Sequence, residues 1–183
     1  MKILNILLII ITLVCSAFTI FSEIDQDIVI ILKDSSIILT VMVPYIIQKL
    51  FKVKLNDGLI TIWIIFIFLA HYLGVTAEFY NKWPLFDKIT HTMSGILTSY
   101  IALVILNYQK TKNKVFNVLF LVSFSWLCAG MWEVFEFTCN YFFGGDAQRV
   151  VTTGVSDTMW DMIVAFLGSI AVSIWYILKS KFS

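Results

Sequence analysis

The chain has 183 residues, of which 60% are hydrophobic and 14% are charged, against about 45–50% and about 25% in soluble domains. With 16 Phe, 7 Tyr and 6 Trp and a mean hydropathy of +0.90, it carries more apolar surface than a small globule can bury. A soluble monomer is therefore excluded, and membrane lipid is the expected surrounding. The net charge of +1 excludes nucleic acid as a partner, because phosphate binding requires a strongly basic surface.

Stretches without Asp, Glu, Lys or Arg predict the membrane spans, since a helix needs about 20 apolar residues to cross a bilayer. Five such stretches are long enough, namely residues 3–22, 59–77, 89–109, 115–132 and 162–178. A sixth, residues 35–48, is too short alone, but it reaches the required length with residues 28–32 if Lys33 and Asp34 lie near the interface. The sequence therefore predicts an all-α polytopic membrane protein, a bundle of about six transmembrane helices.

The distribution of basic residues predicts the orientation of these spans. If the six spans alternate in direction, nine Lys residues fall on the side of both termini and four Lys or Arg residues fall on the opposite side. Short cytoplasmic loops are enriched in Lys and Arg, so both termini are expected in the cytoplasm. The first span starts after Lys2 and lacks a signal-peptidase site, which favours a retained anchor.

Ionisable residues cluster in the second half of the chain. Both histidines and seven of the twelve acids lie between His71 and Asp161, and alternating spans place all of them toward the extracytoplasmic side. Charged groups within membrane spans are unfavourable and usually functional. This region is therefore the expected location of a functional site.

Three pairs of these residues are spaced by three or four positions, so that each pair projects from one helical face. The pairs are Asp87 with His91, Glu133 with Glu136, and Asp157 with Asp161. At a rise of about 1.5 Å per residue, His91, Glu133 and Asp161 are expected at one depth on three helices. Carboxylates and histidines on facing helices form metal sites in helical bundles.

A divalent metal site is the first interpretation of this pattern. Its expected ligands are Asp87, His91, Glu133 and Asp161, and this set of oxygen and imidazole donors suits Zn, Mn, Fe or Mg. Glu136 or Asp157 would then serve as a general base in catalysis. Whether His71 and Glu78 join the site stays open at this point, because His71 is equally well explained as a packed histidine bonded to a backbone carbonyl.

A purely structural interpretation competes with the metal site. Asp87 could cap the fourth long helix, and Ser156 or Asp157 could cap the last one. Lys88 and Arg149 could neutralise two further acids as ion pairs. Capping does not account for His91, Glu133 or Asp161, which lie about a turn or more inside their helices.

The same residues define motifs on three successive helices. The motifs are Phe86-Asp87-Lys88 with His91 and Gly95, then Trp132-Glu133 with Glu136-Phe137, then Gly154, Asp157-Thr158, Asp161 and Gly168-Ser169. In order, spacing and residue type this set resembles the YjdF-like family of predicted bacterial inner-membrane proteins. Members of that family have Tyr-Asp-Arg and Glu-Trp where this chain has Phe-Asp-Lys and Glu-Phe, and Lys in place of Arg weakens any bidentate contact at position 88.

The resemblance implies a location in the bacterial cytoplasmic (inner) membrane and singles out the six residues of the three pairs. It covers about residues 59–176 and names no reaction. We therefore predict two parts, residues 1–57 with two N-terminal transmembrane helices and residues 58–183 as a four-helix family core that carries the polar site.

Three functions fit these expectations. The first is a metal-dependent hydrolase or transferase that acts on a lipid or lipid-linked substrate at the extracytoplasmic face. The second is an ion- or proton-coupled transporter, although its site would be expected near the midplane and the cytoplasmic halves of these helices are almost purely apolar. The third is a non-catalytic membrane scaffold whose polar network fixes the helix register.

Overall fold

The structure, a computed structural model, describes residues 2–22, 28–144, 146, 148 and 150–179. All regular secondary structure in these residues is helical. The helices are α1 (Lys2–Ser22), α2 (Ile28–Phe51), α3 (Asp57–Ile67), which continues as a π-helical segment (Phe68–Thr76), α4 (Phe79–Lys82), α5 (Phe86–Tyr108), α6 (Lys114–Phe143), α7 (Val150–Thr153) and α8 (Ser156–Lys179). Six of them are long and apolar enough to cross a membrane, which confirms the predicted fold class.

Two of the spans differ in extent from the charge-free stretches. α2 is one continuous helix from Ile28 to Phe51, so residues 28–32 and 35–48 belong to one helix, and its part Asp34–Phe51 is long and apolar enough to cross a membrane. α6 continues past Trp132 to Phe143, and Glu133 and Glu136 therefore lie within a helix. A charged residue ends an apolar stretch, but it does not end the backbone hydrogen bonding of the helix.

Asparagine side chains start two of these helices. Asn56 Oδ1 accepts a hydrogen bond from Leu59 N at 2.8 Å at the start of α3, and Asn113 Oδ1 accepts one from Phe116 N at 3.0 Å at the start of α6. These bonds satisfy backbone donors that have no partner inside the helix. α6 ends at Gly144, whose φ of 76° is a conformation that favours glycine.

The chain forms two compact units, residues Met1–Phe86 and Asp87–Ser183, which we call the N-terminal and C-terminal units. Each has its own apolar core. The N-terminal core consists of Ile37, Val41, Ile60, Ile64 and Ile67. The C-terminal core consists of Ala102, Leu103, Leu106, Leu121 and Val172. The division of the chain into residues 1–57 without the polar motifs and residues 58–183 with them stays a prediction.

The buried positions of α6 recur every four residues and form one stripe. The stripe consists of Asn117, Leu121, Ser125, Ala129 and Glu133. α6 packs against α8, and between the stripe positions five large apolar side chains are exposed, namely Leu119, Trp126, Leu127, Met131 and Trp132. This pattern suits a helix with one face in the protein and the other in lipid, and it brings Glu133 inside the unit.

Two glycines allow α5 and α8 to pack with their backbones in contact. A Cβ atom on Gly95 would overlap the backbone of Ala165, and one on Gly168 would overlap the carbonyl of Thr92. Small residues permit this close approach of membrane helices. The contact lies about two turns from Asp87 and Asp161 and holds the helices that carry them together.

Candidate metal site

Two acids of the C-terminal unit lie at the starts of helices. Asp87 is in the first turn of α5, and Asp157 is in the first turn of α8. Each is the second residue of its helix. Neither therefore occupies the N-cap position, which precedes the first helical turn. Their carboxylates contact the Lys88 ammonium.

Lys88 is the centre of an ion-pair network that joins α5 to α8. Its Nζ donates hydrogen bonds to Asp87 Oδ2 at 3.0 Å, Asp157 Oδ1 at 2.5 Å and Asp161 Oδ1 at 2.7 Å. The Lys88 side chain is 21% exposed, and that of Asp161 is 5% exposed. The ion-pair interpretation of Lys88 is thus confirmed, with three acids as partners. Arg149 lies outside the described residues.

His91 completes a group of donors beside this ammonium. Its Nε2 lies 3.5 Å from Asp87 Oδ1 and 3.8 Å from Asp161 Oδ1. Ligand atoms of Asp87, His91 and Asp161 all lie within 4.8 Å of one another, and this group could hold a metal ion. Bond lengths of about 2.0–2.2 Å place neighbouring ligands about 3.0–3.5 Å apart, so a small inward movement would bring these three donors within bonding distance of one ion.

The charges of this group do not balance. With all three carboxylates ionised and His91 neutral, one ammonium leaves two negative charges. Unbalanced charge in a buried site is unfavourable. A divalent cation would neutralise it, and so would protons on the carboxylates.

Glu133 is buried in the same unit, with 5% of its surface exposed. Its backbone carbonyl and its Oε2 accept hydrogen bonds from Gln148 Nε2 at 2.9 and 3.4 Å. Within the described part of the chain, Oε1 has no hydrogen-bond partner. Glu133 is not a member of the three-residue donor group, and its role as a metal ligand stays a prediction.

Glu136 lies one turn beyond Glu133 on α6 and is half-buried. Its Oε1 accepts a hydrogen bond from Trp132 Nε1 at 2.8 Å. The indole thus holds the carboxylate in place on α6. The role of Glu136 as a general base stays a prediction.

His71 and Glu78, the two further candidates for the metal site, belong to the N-terminal unit. His71 lies in the π-helical segment, where its Nε2 is 2.9 Å from Ser36 Oγ. A side-chain hydroxyl is thus one partner of this histidine. Glu78 is exposed and pairs with Lys82 at 3.9 Å.

Polar groups continue below the acids into the deeper half of the C-terminal unit. Ser125 Oγ donates to the Gly95 carbonyl at 3.2 Å and accepts from Thr98 Oγ1 at 2.9 Å. Farther along, Asn117 Nδ2 donates to the Tyr176 hydroxyl at 2.8 Å. The expectation that these halves are almost purely apolar is wrong, because hydroxyl and amide groups lie in the packed interface.

Sequence reasoning missed the central position of Lys88 and the role of Gln148. A lysine next to Asp87 gives a local signal for one ion pair only. Its contacts to Asp157 and Asp161 depend on how α5 and α8 face each other. Gln148 lies in the connection between α6 and α7, where no periodicity indicates its partner.

A family model described as a predicted membrane protein, DUF2238, matches residues 4–181 of this chain. The chain belongs to the DUF2238 family. The match includes α1 and α2, so the helices that carry none of the polar motifs also belong to the family's shared architecture. No curated protein and no solved structure matches the chain.

Proposed function

We propose that this member of DUF2238 is a metal-dependent hydrolase or transferase that acts on a lipid or lipid-linked substrate at the extracytoplasmic face of the membrane. The single observation that carries the proposal is the convergence of Asp87, His91 and Asp161 within 4.8 Å. These donors come from two helices and suit Zn, Mn, Fe or Mg. If the three carboxylates around Lys88 are ionised, a divalent cation at this position balances their charge.

The substrate class is inferred from where these groups lie. The donors occupy the first two turns of α5 and α8, both of which are membrane-spanning helices. A site at that depth meets the headgroup region, where phosphoryl and ester groups of lipids lie. A divalent ion there would polarise such a group.

The chain's own residues supply the remaining chemistry. Lys88 would pair with an anionic oxygen of the substrate once a cation shares its carboxylate partners. Glu136 or Asp157 would accept the proton of the attacking water or alcohol. Glu133, with a buried oxygen that has no partner among the described residues, is the proposed fourth ligand.

Metal analysis of the protein tests the proposal. Protein purified in mild detergent without chelator should carry close to one divalent ion per chain. The double variant His91→Ala with Asp161→Ala should lose it, while Glu78→Ala, an exposed acid of the N-terminal unit, should retain it. Metal-free wild-type protein, or equal metal in the double variant, would refute the site and the reaction built on it.

A second candidate function is a non-catalytic scaffold, and the Lys88 network favours it. A lysine bridging acids of α5 and α8 fixes the register of two helices without any ligand. In that case Asp87→Ala, Glu133→Ala and Asp161→Ala lower the thermal stability, and divalent metal changes neither the wild type nor the variants. Stability that rises on metal titration in the wild type and not in Asp161→Ala favours the enzyme.

Two finer assignments accompany the proposal. The motifs from Phe86 to Ser169 support an affiliation with the YjdF-like proteins and a location in the bacterial cytoplasmic (inner) membrane. The excess of Lys on the side of the termini supports cytoplasmic ends. Fusion of a reporter to the loop between α5 and α6 tests the orientation, because that loop should be cytoplasmic.

A further inference from the structure

The N-terminal unit contains a second polar cluster, on α2 and the π-helical segment. The segment Phe68–Thr76 has nine residues, and the Ala77 amide donates to the Tyr72 carbonyl, five residues earlier, at 2.8 Å. π-helical turns are frequent at functional sites. The wider turn, closed by hydrogen bonds between residues five apart, also alters which side chains share a face.

Two residues of this segment, five positions apart, each contact α2. Thr76 Oγ1 donates to Asp34 Oδ1 at 3.1 Å, and His71 Nε2 lies 2.9 Å from Ser36 Oγ. Asp34 is only 2% exposed, so its contact with Thr76 is inside the unit. This buried contact fixes the end of the π-helical segment on α2 and thereby holds His71 against Ser36.

The Ser36–His71 pair has the geometry of a nucleophile and its general base. A distance of 2.9 Å is within the range of about 2.6–3.2 Å for such pairs. With the ring hydrogen on Nδ1, the Ser36 hydroxyl donates to Nε2, which is the arrangement needed for proton transfer. His71 is half-buried while Ser36 is exposed, so the pair lies at the surface of the N-terminal unit.

The surroundings of Ser36 indicate what that substrate is. Leu32 and Leu39, one turn to either side on α2, are 63% and 64% exposed, so this face is in contact with lipid chains. Ser36 lies about 3 Å by helical rise from Asp34, where the apolar span begins, and about 12 Å from the start of α2 at Ile28. Because the ester groups of glycerolipids lie between the headgroups and the hydrocarbon core, such an ester is the reactive lipid group that this part of the helix would meet.

We propose that Ser36 is an acyl-accepting nucleophile and His71 its base, with a glycerolipid ester as substrate. Ser36 Oγ attacks the ester carbonyl carbon while its proton passes to His71 Nε2. The ester C–O bond then breaks, and the departing lipid alcohol takes that proton, which leaves an acyl group on Ser36. Water or a second alcohol releases the acyl group by the reverse proton transfers. This activity is separate from the metal site and uses none of its residues.

Labelling with a fluorophosphonate probe tests this assignment. The full chain in mild detergent is incubated with the probe, whose phosphorus is attacked by activated serines with loss of fluoride, and the modified residue is located by mass spectrometry. We expect labelling at Ser36 that Ser36→Ala abolishes. Ser35→Ala, a change of the half-buried neighbouring serine, is the matched control and should label like the wild type.

The role of His71 is tested by the rate. His71→Gln retains a hydrogen-bonding side chain but cannot accept the proton, and it should slow labelling by about 100-fold or more. An unmodified Ser36 in the wild type, or equal rates in the wild type and His71→Gln, would overturn the proposal. If His71→Gln lowers the unfolding temperature, an acyl adduct on Ser36 after incubation of the wild type with a p-nitrophenyl ester decides the matter: its presence supports the proposal and its absence refutes it.

Discussion

Replacing Lys88 by Met removes the ammonium that pairs with Asp87, Asp157 and Asp161. The volume of the side chain is largely kept, so the change tests the charge and not the packing. The three carboxylates then face one another with no ammonium at 2.5–3.0 Å. Protonation or a bound cation must relieve the repulsion.

The expected loss of stability follows from the burial of the pair. At 3 Å and an effective dielectric constant of about 20, one ion pair has a Coulomb energy of about 5 kcal/mol before desolvation. Removal of one partner of a buried pair destabilises a protein by about 3–5 kcal/mol. Because the Lys88 side chain is 21% exposed, solvent screening favours the lower end, about 3 kcal/mol.

Chemical unfolding in mild detergent with chelator measures this loss, and a metal titration extends the test. If a divalent ion binds Asp87, His91 and Asp161, it should stabilise Lys88→Met by about 2.7 kcal/mol at 100 times its dissociation constant. Lys82→Met is the control, since the Lys82–Glu78 pair is 63% exposed on both sides, and its change should stay within about 0.5 kcal/mol. A Lys88→Met variant as stable as the wild type with chelator would refute the reasoning.

Two further substitutions test the packing and the helix start. Gly95→Ala places a methyl group against the backbone of Ala165 and should cost about 1–3 kcal/mol, visible as a lower unfolding temperature; Gly130→Ala, whose added Cβ would lie 3.8 Å from the Met162 side chain, should not lower it. Asn113→Ala removes the hydrogen bond that caps α6 and should cost about 1 kcal/mol in chemical unfolding, whereas Asn113→Asp should keep most of the wild-type stability.

The positions of the six spans were predictable because the bilayer imposes a length. The length of an apolar stretch, about 20 residues, is enough to predict a membrane-spanning helix. The prediction of α2 requires in addition that Lys33 and Asp34 lie within the helix. The end of α6 at Phe143 was not predictable from apolar length, since Glu133 is buried by its partners. The π-helical segment also has no simple sequence signature, because it depends on contacts with α2 such as that of Thr76 with Asp34.

The sequence predicts which residues of the candidate site project from the same face of a helix. The four-residue spacings of Asp87 with His91 and of Asp157 with Asp161 indicated one direction for each pair, and Asp87, His91 and Asp161 do converge. Spacing along one helix does not fix the rotation of that helix about its axis. The contact of Lys88 with Asp157 and Asp161 depends on that rotation. The sequence therefore predicts an ion pair of Lys88 as one alternative, but not its position between three carboxylates.

The glycine contact between α5 and α8 acts as a pivot for the donor group. Asp87 lies eight residues from Gly95, and Asp161 lies seven residues from Gly168, so each acid is about 11–12 Å along its helix from the crossing. A change of about 5° in the crossing angle therefore moves one acid about 1 Å relative to the other. Metal coordination tolerates only about 0.2 Å, so the angle at which two backbones meet at their glycines determines whether three side chains two turns away can share one ion.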